Sequence, residues 1–203
     1  MSDNLCFSKA DIMLPDCDLS KWSVIACDQY TSQLDYWEKV SEIVGDEPST
    51  LNIILPECYL GDKNSKYIEK INSNMKVYLE NRLFVTYKDA LFYVERTQPD
   101  GRVRKGIVGK INLDDYDYRP NSRSKIRATE KTVLERIPPR VEIRKDALLE
   151  MPHIMLLVDD KKKEIIESLH DKKDTFEKVY DFELMQGAGH IEGYLLPVDI
   201  ADG

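Results

Sequence analysis

The sequence predicts an α+β fold, a mixed sheet with packed helices, and three observations carry that reading. Helix-period apolar stripes, β-rich runs bounded by turn residues, and an irregular order of the two kinds of segment occur along the same 203 residues. A regular alternation of strand and helix would instead point to a doubly wound parallel sheet.

Taken in order, Ser23-Val24-Ile25-Ala26-Cys27 is a short apolar run suited to a buried strand, and it leads through Asp28-Gln29-Tyr30 into a helix that Thr31 or Ser32 can cap. Leu34, Trp37, Val40 or Ser41, and Val44 form one stripe of that helix, which Gly45 ends. Residues 52–55 repeat the strand signal and stop at Pro56. The clearest helix spans about 65–82, where Ile68, Ile71, Met75, Tyr78, Leu79 and Arg82 recur at three- and four-residue steps.

Residues 90–97 and 102–113 read as a hairpin joined by Gln98-Pro99-Asp100-Gly101, since Pro presets φ and Gly supplies a positive φ. A polar, tyrosine-rich loop (114–124) leads to a short helix expected over 129–137, begun by capping residues and halted by Pro138-Pro139. Residues 153–158 are a further strand candidate, closed by a turn at Asp159-Asp160 and Lys161 to Lys163. Tyr180, Phe182 and Leu184 alternate as in a half-buried strand, with 191–196 as its partner across a glycine turn.

A chain of this length buries roughly 70% of its unfolded surface, so a single domain needs neither disulfides nor a structural metal. No stretch approaches the roughly 20 apolar residues that span a bilayer, and the amino terminus has neither the basic start nor the apolar run of a secretory signal. The expectation is a cytoplasmic protein without membrane partners. Its four cysteines, Cys6, Cys17, Cys27 and Cys58, match no metal-ligand spacing and read as free thiols; a disulfide pair is the alternative. The three histidines are unpaired with one another or with cysteine, so no metal site is predicted.

Formal net charge is −8, which disfavours nucleic acid as a partner, yet residues 119–145 hold nine Lys and Arg against three Glu. That local excess suits the phosphate or carboxylate of a small anionic ligand; a solvated basic face is the plainer alternative.

Three segments could carry chemistry. In Cys27-Asp28-Gln29-Tyr30-Thr31-Ser32, free backbone N–H groups at a helix start, with Thr31 and Ser32, could hold a phosphate; otherwise a hydroxyl merely caps the helix and Asp28 braces the turn. In Arg127-Ala128-Thr129-Glu130-Lys131-Thr132, followed by Arg136 and Arg140, guanidinium groups can grip phosphate oxygens bidentately. Thr129 can donate there, and Glu130 can act as general base or help hold magnesium. A surface helix with ordinary salt bridges uses the same letters. Gly187-Ala188-Gly189-His190 fails the dinucleotide fingerprint, because Glu192 replaces its third glycine; a tight turn and a hydrogen-bonded His190 explain it as well as a site does. The chain also lacks a Walker loop, a nucleophile elbow and a kinase signature set.

These segments resemble the domain-of-unknown-function family 1015 in five ordered blocks: 26–32, 93–97 (Tyr93-Val94-Glu95-Arg96-Thr97), 126–130, 133–140 and 189–194. The resemblance implies a protein about twice this length, with a later Asp-Gly-Asn-His-Ser segment. That segment is similar to the phosphate-binding motif of the ParB-like superfamily, which includes nucleotide hydrolases and a free-serine kinase. The chain stops at Asp202-Gly203, before the full motif, so it is expected to be an amino-terminal portion.

By that resemblance the implied ligand is a nucleotide or another small anion, with ADP or ATP and magnesium as the implied cofactor. Glu130 and Asp28 are then the catalytic candidates, and Arg127, Thr129, Arg136, Thr31 and His190 the substrate-binding ones. The competing expectation is a noncatalytic binding or scaffold domain using the same basic face. A third is that the basic residues form internal ion pairs.

Overall fold

The glycine turn and the Pro-Asp-Gly turn together build the largest sheet. The computed structural model describes residues 5–61, 64–129, 131 and 133–201. In chain order its elements are β1 (Phe7–Ser8), β2 (Ala10–Pro15), α1 (Leu19–Trp22), α2 (Leu34–Val44), α3 (Asn64–Glu80), β3 (Phe84–Ala90), β4 (Phe92–Thr97) and β5 (Val103–Val108). They continue as β6 (Lys110–Ile111), β7 (Tyr116–Asp117), β8 (Ile126–Arg127), α4 (Ile137–Lys145), α5 (Ile166–His170), β9 (Glu177–Glu183), β10 (His190–Leu195) and α6 (Val198–Ala201). The fold is α+β.

The main sheet has the order β5-β4-β10-β9 and is antiparallel at every junction. Thr97 pairs with Val103 across the expected turn, where Gly101 takes φ +83° and its N–H donates to the Gln98 carbonyl at 2.9 Å. At the other hairpin Glu183 pairs with His190. β1–β6 and β2–β3 are small antiparallel pairs, and β7–β8 is parallel.

Helices cover both faces of this sheet region. Trp37, Val40 and Val44 of α2 are buried together with Met185, as their three- and four-residue spacing requires, while Leu34 stays 46% exposed at the frayed start. Each such large side chain contributes about 1.5–3 kcal/mol by leaving water. Gly45 ends α2 at φ +55°, its N–H donating to the Ser41 carbonyl. Ile71 and Met75 of α3 bury against Trp22, Ile53 and Leu55. Leu169 of α5 and Phe176 pack on Tyr93 and Tyr194.

Five expectations are corrected. Residues 23–27 and 52–55 are not strands: Val24 N–H donates to Thr50 Oγ1, the Cys27 carbonyl accepts from Glu57 N–H, and residues 50–52 form a tight turn capped by Ser49. Short apolar runs do not by themselves show a ladder: Ile53 to Leu55 bury as irregular chain, and residues 23–27 are only partly covered. The start of α2 is Gln33, with no side-chain cap, so Thr31 and Ser32 lie outside it.

The helix expected over 129–137 is displaced. Pro138 and Pro139 open α4 instead of ending its predecessor, because the first turn has no use for the N–H groups that proline lacks. Finally, residues 153–158 pair with no strand among the described residues, and Ile154 to Val158 are all exposed.

Candidate functional site

Alternation along β4 sends Glu95 to the α5 face of the main sheet and Arg96 to the α2 face, so two adjacent charges in an otherwise apolar strand serve two different constellations. On the α2 face a cleft of about 210 Å³ opens at Arg96. One wall is Val24, Ile25 and Ala26, leading into the 26–32 block. Tyr36 and Val40 of α2 form a second wall, and Met185, Ala188 and Ile191 a third. Arg96 donates through Nη2 to the Ala188 carbonyl at 3.3 Å, but its Nε–H is buried with no acceptor among the described residues. Tyr36 stacks on Tyr30 with centroids 4.0 Å apart.

On the opposite face Glu95 and Glu192 stand directly across from each other on β4 and β10. Lys173, brought over the sheet by the turn after α5, bridges them at 2.9 and 2.7 Å. Glu95 also accepts from Tyr93 at 2.6 Å and meets His170 Nδ1 at 2.5 Å; Glu192 accepts from Tyr194 at 2.7 Å and pairs with Lys178 at 3.1 Å.

Burial by itself would raise Glu95, and the hydrogen bonds from Tyr93, Lys173 and His170 outweigh it, leaving the carboxyl below its ordinary value. The same contest, won by Lys173, Tyr194 and Lys178, holds Glu192 at about 2. Tyr93 is pushed up by burial and then by its carboxylate partner, so it stays a phenol and a donor. This network is internally matched in charge and holds α5 to the sheet.

The residues singled out from the sequence fall in several separate places. Asp28 and Thr31 are exposed in the turns before α2. Arg127, on β8, and Thr129, just after it, are exposed, and Arg127 has no ion-pair partner among the described residues. Glu130 lies outside the described residues, as do Thr132, Asp202 and Gly203. Arg136 and Arg140 both reach Glu57, whose side chain is 7% exposed, at 3.3 and 2.6 Å. His190 sits between Asp181 and Glu183, at 2.8 and 3.0 Å.

Arg140 is therefore brought beside the Cys27-Asp28 turn, since Glu57 is hydrogen-bonded to Cys27 through the backbone. His190 keeps separate company. Neither of the two clearest clefts is lined by Asp28, Thr31, Arg127, Thr129, Arg136 or His190.

For Arg136 and Arg140 the internal ion-pair expectation describes the geometry. Both guanidiniums are half exposed, so each contributes modestly. Arg140→Ala is expected to lower stability by about 1 kcal/mol and Arg136→Ala, with the longer contact, by less. A double-mutant cycle with Glu57→Gln in urea denaturation checks that the loss is coupled to this carboxylate.

Three of the five sequence blocks meet around the cleft: Ala26, Arg96 and Ile191 line it. The sequence model of the family described as "Protein of unknown function (DUF1015)" matches residues 9–196. The chain belongs to that family. No curated protein and no solved structure matches the chain. The link from DUF1015 to the ParB-like superfamily rests on the motif resemblance alone.

Sequence reasoning missed Glu95, Lys173 and Glu192, the bridged charges on one face of the main sheet of the DUF1015 domain, and Arg96, the under-partnered guanidinium on the other. The available signal was Glu95-Arg96 inside a β-rich run, where consecutive charges must occupy both faces of a sheet.

Proposed function

We propose that this DUF1015 domain binds a small phosphate- or carboxylate-bearing metabolite at Arg96. The observation that supports the reading is the buried Nε–H of Arg96, a charged donor with no acceptor among the described residues, on a residue that lines a cleft with largely apolar walls. A buried donor left unpaired costs about 1–3 kcal/mol, and a ligand oxygen removes that cost. Nε and a terminal nitrogen of one guanidinium present the parallel pair of donors that fits two oxygens of a carboxylate or phosphate. The apolar walls weaken competition from water.

A volume of about 210 Å³ suits a phosphate or a short acid more than a whole nucleotide. Nucleotide-dependent phosphoryl transfer is the finer form of this proposal. Asp28, Arg127 and Thr129 do not line the Arg96 cleft, so that finer form draws no support from them there. A noncatalytic anion-binding domain is the second reading, favoured by the engagement of Arg136 and Arg140 with Glu57.

The test is thermal melting with millimolar inorganic phosphate, a short dicarboxylate, ADP and ATP with magnesium. At least one of these is expected to raise the melting temperature of the wild type and to leave Arg96→Ala unmoved; saturation to about 100 times Kd adds about 2.7 kcal/mol. Equal shifts in wild type and Arg96→Ala, or no shift with any of the four, would overturn the proposal. Conversion of ATP that is lost in Glu130→Gln would select the enzyme over the binding domain.

A further inference from the structure

We infer that β9 and β10 carry a divalent metal site of the transition-metal kind, made by Asp181, His190 and Glu192. One ligand atom from each lies within 4.8 Å of the other two. Asp181 stands directly opposite Glu192 in the antiparallel register, and His190 precedes Glu192 by two residues, so all three side chains leave the same face of two hydrogen-bonded strands.

The site lies on the α5 face, away from the Arg96 cleft. The inference therefore stands or falls separately from the proposed anion binding.

Two features give this trio more than proximity. First, His190 is oriented from behind: Nδ1 meets Glu183 at 3.0 Å, which leaves Nε2 facing Asp181 at 2.8 Å. A carboxylate behind a ligating imidazole is the usual device for fixing its tautomer and raising its donor strength.

Second, a cation is already drawn to this spot. The Lys178 ammonium lies 2.5 Å from Asp181 and 3.1 Å from Glu192, on a side chain that is 43% exposed and has open solvent to swing into. Lys178 thus acts as a tethered competitor, and its departure leaves the Asp181 carboxylate, the His190 imidazole and the Glu192 carboxylate around one position, with Glu192 still held by Lys173 and Tyr194.

One nitrogen and two oxygens suit manganese, zinc or cobalt more than calcium or magnesium, which prefer all-oxygen shells. Bonds of about 2.0–2.2 Å require the three donors to close toward one another by side-chain rotation, which the exposed Asp181 and Lys178 permit. Scanning the chain for paired histidines and cysteines cannot find such a set. Asp181 and His190 are separated by a whole hairpin, and their proximity comes from strand register.

Manganese is the probe of choice, because the four free cysteines are poor ligands for it. The free-ion electron paramagnetic resonance signal is followed during titration of the wild type, Lys178→Met, His190→Ala and Asp181→Asn, each shown by circular dichroism to be folded. Wild type is expected to bind one Mn²⁺, Lys178→Met at least tenfold more tightly, and His190→Ala and Asp181→Asn at least tenfold more weakly. The bound ion should show nitrogen hyperfine coupling that His190→Ala removes. No binding by both wild type and Lys178→Met would overturn the site, as would binding that His190→Ala and Asp181→Asn leave unchanged. Should a single substitution unfold the chain, Asp181→Asn in the Lys178→Met background supplies the same comparison.

Discussion

Replacing Lys173 by methionine is expected to destabilise the domain by about 2–3 kcal/mol, a loss of roughly 4–12 °C in Tm for a chain of this size. The reason is that Lys173 answers two carboxylates at once. Glu95 is 6% exposed and Glu192 17%, and neither can recover full hydration when the ammonium is removed. A buried carboxylate that loses its partner normally costs about 3–5 kcal/mol, and the figure is reduced here because the Lys173 side chain is itself 23% exposed. Methionine keeps much of the aliphatic stem and removes the ammonium, which also lies 5.8 Å from the Tyr194 ring centre, so the loss reports charge more than packing.

The same network fixes the acid limb of stability. Glu95 and Glu192 are both held below their ordinary value of 4.5, so the unfolded chain binds more protons than the folded one as pH falls. Their contribution is complete above about pH 4.5 and is lost as pH drops through the folded values, about 2 for Glu192. Glu95→Gln should flatten part of that limb. Urea midpoints measured between about pH 2 and pH 7 check both statements; an unaltered acid limb in Glu95→Gln would mean that Glu95 is not held in this network in solution.

How much of the fold is legible in the sequence depends on the kind of signal each feature sends. The hairpin over β4 and β5 is legible because Pro99 and Gly101 constrain φ locally, and α3 because seventeen residues repeat one period. Residues 23–27, 52–55 and 153–158 all show apolar runs, and apolarity reports burial or unsatisfied surface without naming a partner strand. Pro138-Pro139 misleads because proline is equally at home just past one helix and just inside the next; only the position of the preceding tight turn at 134–136 decides between them.

The site is less legible for a related reason. Arg136 and Arg140 look available in the sequence because their shared acceptor, Glu57, lies some eighty residues earlier in the chain. Lys173 looks like one of many surface lysines, since nothing local marks a cation that bridges strands β4 and β10. Long-range charge matching is written in tertiary contacts, and a single sequence carries it only where strand register is already known.

A sharper expectation concerns the turn that supports the Arg96 cleft. Gly189→Ala should cost about 3–5 kcal/mol, whereas Gly187→Ala, two residues away, should cost about 1 kcal/mol. Both glycines have positive φ, +106° and +65°, but their surroundings differ. A Cβ at Gly187 meets nothing within 4 Å, and its φ is one that other residues adopt at modest strain. A Cβ at Gly189 would overlap the Thr97 carbonyl oxygen, a backbone atom of the neighbouring strand that cannot rotate aside.

Relief of that overlap must separate the end of β10 from the end of β4. The same shift moves the Ala188 carbonyl away from Arg96 and draws Gly189 away from Leu184 N–H, which its carbonyl accepts at 2.7 Å. Gly189→Ala is therefore expected to abolish anion binding at Arg96 as well as to lower the melting temperature by roughly 6–20 °C. Gly187→Ala should keep the binding. Melting curves with and without phosphate on the two variants separate a local backbone requirement from general intolerance of the turn. Equal losses in the two would show that the approach of Gly189 to Thr97 is not what closes this end of the sheet.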